Sequence, residues 1–240
     1  MPQNKCLEHK GEKVMGLFNR GYDDVEKIAK QREEEQTNTV FRFWMPKDIE
    51  THIMFLDDNP PKYDEHQSYI DGNWKNWDTC LKQFSKKCPL CEAGNKAYLA
   101  AAYTIIDLTE WTSKKGEKHL NERKMYVVKF DSLKALKSLS AKVRGLRGSV
   151  WALSRSGDKS ANTGNVFFPI GKLTEDELKM ALEGKYTNED YKTLFKNTKI
   201  NSIDPYDYDA ILAPKDPEKM SASVDKAAET SYDQEEKVRF

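Results

Sequence analysis

The feature that most narrows what this chain can become is Cys88-Pro-Leu-Cys91. Two thiols separated by two residues reach one metal ion from a single tight turn, as in a zinc knuckle or ribbon. A closed structural zinc site takes four ligands. Cys80 precedes the pair and His66 precedes Cys80, giving a His-x13-Cys-x7-Cys-x2-Cys pattern. The expectation is one structural zinc ion on His66, Cys80, Cys88 and Cys91. Cys6-x2-His9 and His52 are alternative sources of the fourth ligand, and His119 reads as a surface residue. The competing readings of the cysteine pair are a redox dithiol and bystander thiols. A redox CxxC opens a helix after a buried strand, whereas here Lys86-Lys87 precede the pair and Gly94 would cut a helix short. Zinc deaminases couple a PCxxC to an HxE glutamate, but Gln67 and Ser68 follow His66. Three thiolates and an imidazole also leave no open position for a reactive water.

The chain has 240 residues, of which 38% are hydrophobic and 32% charged. This suits one sizeable core with appendages. The longest uncharged apolar run, Tyr98 to Ile106, is too short to cross a bilayer. The opening MPQNKCLEHK lacks the apolar centre of a signal peptide. The expectation is a cytosolic-type chain whose four cysteines serve metal or redox chemistry before structural disulfides.

Strand signals begin at Val40. Runs at 40–44, 51–56, 102–107, 125–130, 149–154 and 165–170 are rich in β-branched and aromatic residues and are bounded by turn residues such as Asp57-Asp58-Asn59-Pro60-Pro61. Short strands of this kind predict a mainly β, α+β chain built on a small antiparallel barrel or sandwich. A helix is predicted from Asp131, with Asp131 or Ser132 as its cap, Leu133, Leu136, Leu139 and Val143 on one face and Lys134, Lys137, Lys142 and Arg144 on the other. Thr174 to Glu177 and Thr187 to Asp190 resemble capping boxes, and Gly184 suits a helix end. Residues 22–36 read as an exposed helix within a peripheral arm (1–38). The core is placed at 39–213, with its zinc subdomain at about 64–95. A flexible tail is placed at 214–240, where acidic residues only slightly exceed basic ones.

Formal net charge is zero, yet residues 112–155 hold 12 Lys and Arg against 3 Asp and Glu. A basic centre flanked by acidic segments suits a surface that meets a polyanion, and a solvated Lys-rich helix face is the plain alternative. Aromatic and basic residues interleave at Lys96-Ala-Tyr98, from Trp111 to Lys115, and at Lys124-Met-Tyr126. Single-stranded nucleic acid is held in this way, with bases stacked on rings along a basic groove. The candidate contacts are Trp74, Trp77, Lys86, Lys87, Lys96, Tyr98, Tyr103, Trp111, Lys114, Lys115, Lys124, Tyr126, Lys129, Arg144 and Arg147. Trp44 and Trp151 are assigned to the core. No P-loop, Rossmann fingerprint, GxSxG elbow or HExxH occurs, so a non-catalytic role is expected.

The order of strand signals, His66, Cys80, Cys88-Pro-Leu-Cys91, Asn95-Lys96-Ala-Tyr98, a basic strand region and a Lys-rich helix resembles the zinc-containing single-stranded DNA-binding (helix-destabilising) proteins of T-even-type bacteriophages. The resemblance covers roughly residues 40–210. It implies an OB-fold with an inserted zinc subdomain and sequence-independent coating of single strands in replication, recombination and repair. It also implies a Zn2+ cofactor, replication and recombination partners, possible docking through the tail, and a location in the cytoplasm of an infected bacterial cell. Under it, His66, Cys80, Cys88 and Cys91 take the zinc-ligand roles and Tyr98 faces DNA. Two features depart from the family. Residues 1–45 are neutral and lack its Lys/Arg-Ser-Thr self-association motif, which leaves self-association on DNA open, and the tail is only weakly acidic. The alternative role is a zinc-stabilised replisome or transcription adaptor that does not bind single strands.

Overall fold

The computed structural model describes residues 40–70, 73–112, 116–155, 163–186, 200, 202–221 and 224. The arm at 1–38, residues 156–162, Lys114, Lys115 and the second capping box lie outside them. The chain is mainly antiparallel β with few helices. Its strands are β1 (Thr51–Phe55), β2 (Lys62–Ile70), β3 (Asn73–Thr79), β4 (Tyr98–Asp107), β5 (Trp111–Thr112), β6 (Lys118–His119), β7 (Glu122–Lys129), β8 (Ser149–Ser154) and β9 (Val166–Lys172). Its helices are α1 (Pro89–Glu92), α2 (Phe130–Val143), α3 (Glu175–Leu182) and α4 (Tyr208–Ile211). The main sheet runs β3-β2-β4-β1-β8-β9, with β7 added to β4, while β5 and β6 form a separate ribbon. Among the described residues no pairing joins β3 to β9, so the sheet is open and the expected barrel closure is not seen.

β4 organises the sheet. β7 lies along one edge from Ala100 to Asp107. The other edge is shared, with β2 pairing to Tyr98–Ala101 and β1 to Ile105–Asp107. The corner between β1 and β2 bridges the gap: Ala102 donates to the Pro61 carbonyl, Leu56 to the Thr104 carbonyl, and the Thr104 N–H to the Asp57 carboxylate. A strand covered on both faces is apolar or small at most positions, and its buried polar groups are paired. The run from Ala100 to Asp107 is buried throughout.

α2 covers one face of the sheet. Leu136 is fully buried, and Leu133, Leu139 and Val143 pack with it against Phe55, Tyr126, Trp151 and Leu153. This is the apolar face expected from the sequence, and truncating Leu136 to Ala should cost about 2–5 kcal/mol. The helix starts at Phe130 with Lys129 as N-cap and no side-chain cap. Asp131 is therefore a first-turn residue suited to the helix dipole and not the cap. At the other end the Lys172 ammonium donates to the carbonyls of Val143, Arg144 and Gly145, the last two at 2.7 and 2.8 Å. α3 opens with the full Thr174/Glu177 capping box and packs Leu178 and Ala181 onto Met54, Ile106 and Val150.

The run 40–44 forms no full strand. Only Arg42 bridges to Met125, in parallel, with the Phe43 N–H donating to the Met125 carbonyl and the Met125 N–H to the Phe41 carbonyl. Phe43 and Met45 enter the core, so the alternation of an extended chain turns Trp44 outward. The core assignment of Trp44 is thus corrected, while that of Trp151 stands at 1% exposure.

Beyond residue 202 the chain forms a strap. The Tyr206 phenol donates to the Arg123 carbonyl, Tyr208 bonds to Asp57 and Thr104, and the Thr79 hydroxyl donates to the Leu212 carbonyl at 2.8 Å. A helical turn at 217–221 is capped by Asp216 and carries Met220, which is fully buried. The packed chain therefore continues past Pro214, where the tail was placed. No helix among the described residues is long and apolar enough to cross a membrane.

Candidate metal centre and aromatic cleft

The β2–β3 hairpin and the turn after it assemble the first site. His66 sits on β2 across from Asp78 on β3, and the Cys80 N–H donates to the Asp64 carbonyl at 2.7 Å, which fixes Cys80 beside the strand pair. Cys80 leads into a 3-10 turn at Leu81–Phe84. Cys88 is the N-cap of α1, with Pro89 at its first position, a role proline suits because the first-turn N–H has no helical partner. One short turn of helix then brings Cys91 back beside Cys88.

The donor atoms of His66, Cys80, Cys88 and Cys91 all lie within 4.8 Å of one another. The Cys80 and Cys91 sulfurs are 3.6 Å apart, and His66 Nε2 lies 3.4 Å from the Cys88 sulfur and 3.5 Å from that of Cys91. A tetrahedral ion with Zn–S near 2.3 Å and Zn–N near 2.0 Å requires donor separations of about 3.5–3.8 Å. The group could therefore hold a metal ion such as zinc, and its soft thiolates and imidazole fit that ion. The three cysteines are free thiols. Burial pushes the Cys80 thiol up to about 11, helped by the neighbouring Cys91 and Cys88. Cys88 is also desolvated, yet backbone donation from Cys91 and Leu81 brings it below the ordinary thiol value. Of the alternative ligands, His52 lies outside the group with its Nε2 3.3 Å from Glu50, and Cys6 and His9 lie outside the described residues. Around the thiols, Leu81, Leu90 and Met220 form an apolar shell, with Ala97 and Val224 packed against it.

Next to His66, the buried Glu65 anchors a polar hub. Its carboxylate accepts both ends of the Arg42 guanidinium, the Tyr63 phenol at 2.8 Å and the Tyr98 phenol at 2.6 Å. The Arg42 guanidinium in turn lies 4.5 Å over the Trp77 ring.

The second site is a cavity of about 410 Å3 between the 41–46 segment and the β5–β6 ribbon. Phe41, Trp44 and Trp111 line it and remain 62%, 58% and 40% exposed. Trp111 stacks on His119 at 4.2 Å and donates its indole N–H to Glu122, which also bonds His119. The Arg155 guanidinium lies 5.6 Å from the Trp44 ring. The cleft carries both signs of charge, because Asp107 and Glu122 line it beside Arg42 and Lys124.

No match to a known protein decides between these readings. The chain matches no family model, no curated protein and no solved structure.

Several expected contacts belong elsewhere. Tyr126 is fully buried with its phenol donating to the Thr163 carbonyl, and Tyr103 is 3% exposed. Together with Phe43 and Phe55 they form an aromatic core with ring centroids 5.5 to 6.5 Å apart. They fall on the inward face of β4 and β7 and cannot stack on a base. Arg147 is a structural bolt, paired with both oxygens of Glu175 and donating to the Leu56 and Ile203 carbonyls. Lys124 is 12% exposed and bound to Asp107 at 2.8 Å, so its charge is already matched. Tyr98 is half-buried, with the Lys129 ammonium 4.3 Å from its ring. Lys86, Lys87, Lys96, Lys129 and Arg144 are exposed. The Trp74 side chain, Lys114 and Lys115 lie outside what is described. Phe41 and Trp44 were missed as surface aromatics, although the alternation set by Phe43 and Met45 was the available signal for Trp44.

Proposed function

We propose that this chain binds single-stranded DNA without sequence preference and without catalysis. The carrying observation is the cleft at which Phe41, Trp44 and Trp111 keep large apolar rings in water. Exposed rings of this size are costly unless a ligand covers them. Unpaired bases, unlike those in a duplex, offer free faces to stack on them. Phosphates would be met by Lys86, Lys87, Lys96 and Lys129, releasing counterions. Selective affinity for single strands destabilises duplexes by mass action.

The resemblance extends the proposal to an OB-fold-like barrel with an inserted zinc subdomain. The His/Cys3 group, built from β2 and the segment between β3 and β4, supports the insertion. Zinc held by His66, Cys80, Cys88 and Cys91 would supply a structural cross-link with no open coordination position. By the same resemblance the protein works on phage DNA in replication, recombination and repair inside an infected bacterial cell, alongside proteins of those processes.

The test is titration with oligo-dT, read by tryptophan fluorescence at two salt concentrations. Quenching that grows with strand length and weakens with salt, at a slope of log K on log[salt] of roughly −3 for four or five phosphates, supports the proposal. Absence of quenching would sink it and favour an adaptor that contacts proteins instead.

A further inference from the structure

We infer that Asn95 is a positioning residue for the metal centre, fixing the tautomer of His66 so that Nε2 is free to bind the ion. The inference rests on reading the His/Cys3 group as a metal site, and it concerns a residue outside the donor set.

The chain after α1 puts Asn95 in place. Ala93 is the C-cap of the helix, and Gly94 follows in the left-handed region at a φ of +83°. The Gly94 N–H donates to the Cys91 carbonyl at 3.1 Å, and the Asn95 N–H to the Leu90 carbonyl at 2.9 Å. These two bonds make a Schellman motif, which glycine favours because a β-carbon strains that φ. The motif reverses the chain so that the Asn95 side chain returns to β2.

There the amide meets two groups. Asn95 Nδ2 donates to the Gln67 carbonyl at 3.2 Å, and Asn95 Oδ1 lies 3.4 Å from His66 Nδ1. A carbonyl only accepts, so the amide nitrogen must face Gln67, and its oxygen is then left facing the imidazole. An oxygen at that point requires a proton on Nδ1. A neutral imidazole protonated at Nδ1 has its lone pair on Nε2, the atom that faces the Cys88 and Cys91 sulfurs. Hydrogen bonds to the far nitrogen of a ligating histidine hold its ring and raise its basicity, and losing them typically costs 10- to 100-fold in metal affinity. Asparagine meets both demands, because it donates to Gln67 and accepts from His66 with one planar group. Aspartate would keep the acceptor but set an oxygen against the Gln67 carbonyl.

The experiment uses the full chain with zinc as the probe. Nitrogen-15 correlation NMR reads which His66 nitrogen carries the proton and which binds zinc, and competition with a chromophoric chelator reads affinity. Wild type should show His66 protonated at Nδ1 and bound through Nε2. Asn95→Leu should bind zinc about 10- to 100-fold more weakly. Asn95→Asp should keep the same tautomer and stay within about tenfold of wild type, since it retains the acceptor. Zinc bound through Nδ1 in wild type, or unchanged affinity in Asn95→Leu, overturns the inference and leaves the metal site standing. If Asn95→Leu fails to fold, the wild-type spectrum alone decides. A wild type that binds no zinc overturns the metal site itself and this inference with it.

Discussion

The Lys215 ammonium sits 2.5 Å from a carboxylate oxygen of Asp78, whose side chain is completely buried. No other described residue bonds either oxygen of Asp78, so the compensation falls on Lys215. Leaving such a group unmatched costs about 1–3 kcal/mol, toward the lower end here because Lys215 is half-exposed and water screens it. Lys215→Ala should therefore lower the unfolding free energy by about 1 kcal/mol. Two truncations extend the test by thermal unfolding. Ending the chain after Ala213 removes both Lys215 and Met220 and should lower Tm clearly, while ending it after Val224 should not. Equal melting of the two truncations would mean that residues 214–224 contribute no stability.

Metal removal should loosen the hairpin and α1 before the main sheet. A structural zinc site contributes on the order of 10 kcal/mol to local folding. Elemental analysis should find one zinc per chain, and Cys88→Ser or Cys91→Ser should reduce both zinc content and Tm. Gly94→Ala leaves every ligand in place and meets no neighbour within 4 Å, yet strains the turn that carries Asn95. It should cost about 1 kcal/mol and weaken zinc retention.

In the cleft, Trp44→Ala and Trp111→Ala should each weaken oligo-dT binding by about 1–3 kcal/mol with little loss of stability. Trp151→Phe should do the reverse. Its indole is 1% exposed and donates to the Ser149 hydroxyl at 2.7 Å, so the substitution breaks a buried bond without touching the cleft. Binding isotherms and thermal melts on the same three variants separate the two effects.

Alkaline pH should unfold the protein through its tyrosines. Burial is the first cause holding the phenols of Tyr63, Tyr98, Tyr103, Tyr126, Tyr206 and Tyr208 above their ordinary value, and the Glu65 charge adds to it for Tyr63 and Tyr98. In the unfolded chain these groups lose protons near pH 10, while the folded chain retains them. The folded state then binds more protons, so the stability they supply is complete below about pH 10 and falls as pH rises through and beyond it. Absorbance at 295 nm should show these six of the eleven tyrosines silent until the chain unfolds. Their titration in the folded state near pH 10 would contradict the buried network.

The metal ligands were legible because their spacing is chemistry: few arrangements explain three cysteines and a histidine at these intervals. The apolar face of α2 and the capping box of α3 were legible for a similar reason, since each repeats at a fixed helical period. The β2–β3 hairpin was not. KYDEHQSYI and NWKNWDT are too polar to read as strands. Strand alternation also misled where depth was concerned. Tyr103 and Tyr126 occupy positions whose side a sequence cannot give until the partners on both edges are known. The strap was missed because it depends on single residues, Lys215 and Met220, whose partners lie more than a hundred positions away.

β4 has one further consequence. It begins at Tyr98, bonded to the hub beside the metal centre, and ends at Asp107, bonded to Lys124 on the cleft wall. At about 3.3 Å per residue the strand spans roughly 30 Å between those points. Its middle is hydrogen-bonded on both edges, so neither end can open by local fraying without breaking the shared ladder. Amide exchange at Ala102 to Ile105 should therefore proceed only through global unfolding. Zinc at one end and bases stacked in the cleft at the other would each slow exchange of the same four amides, drawing on a single cooperative unit.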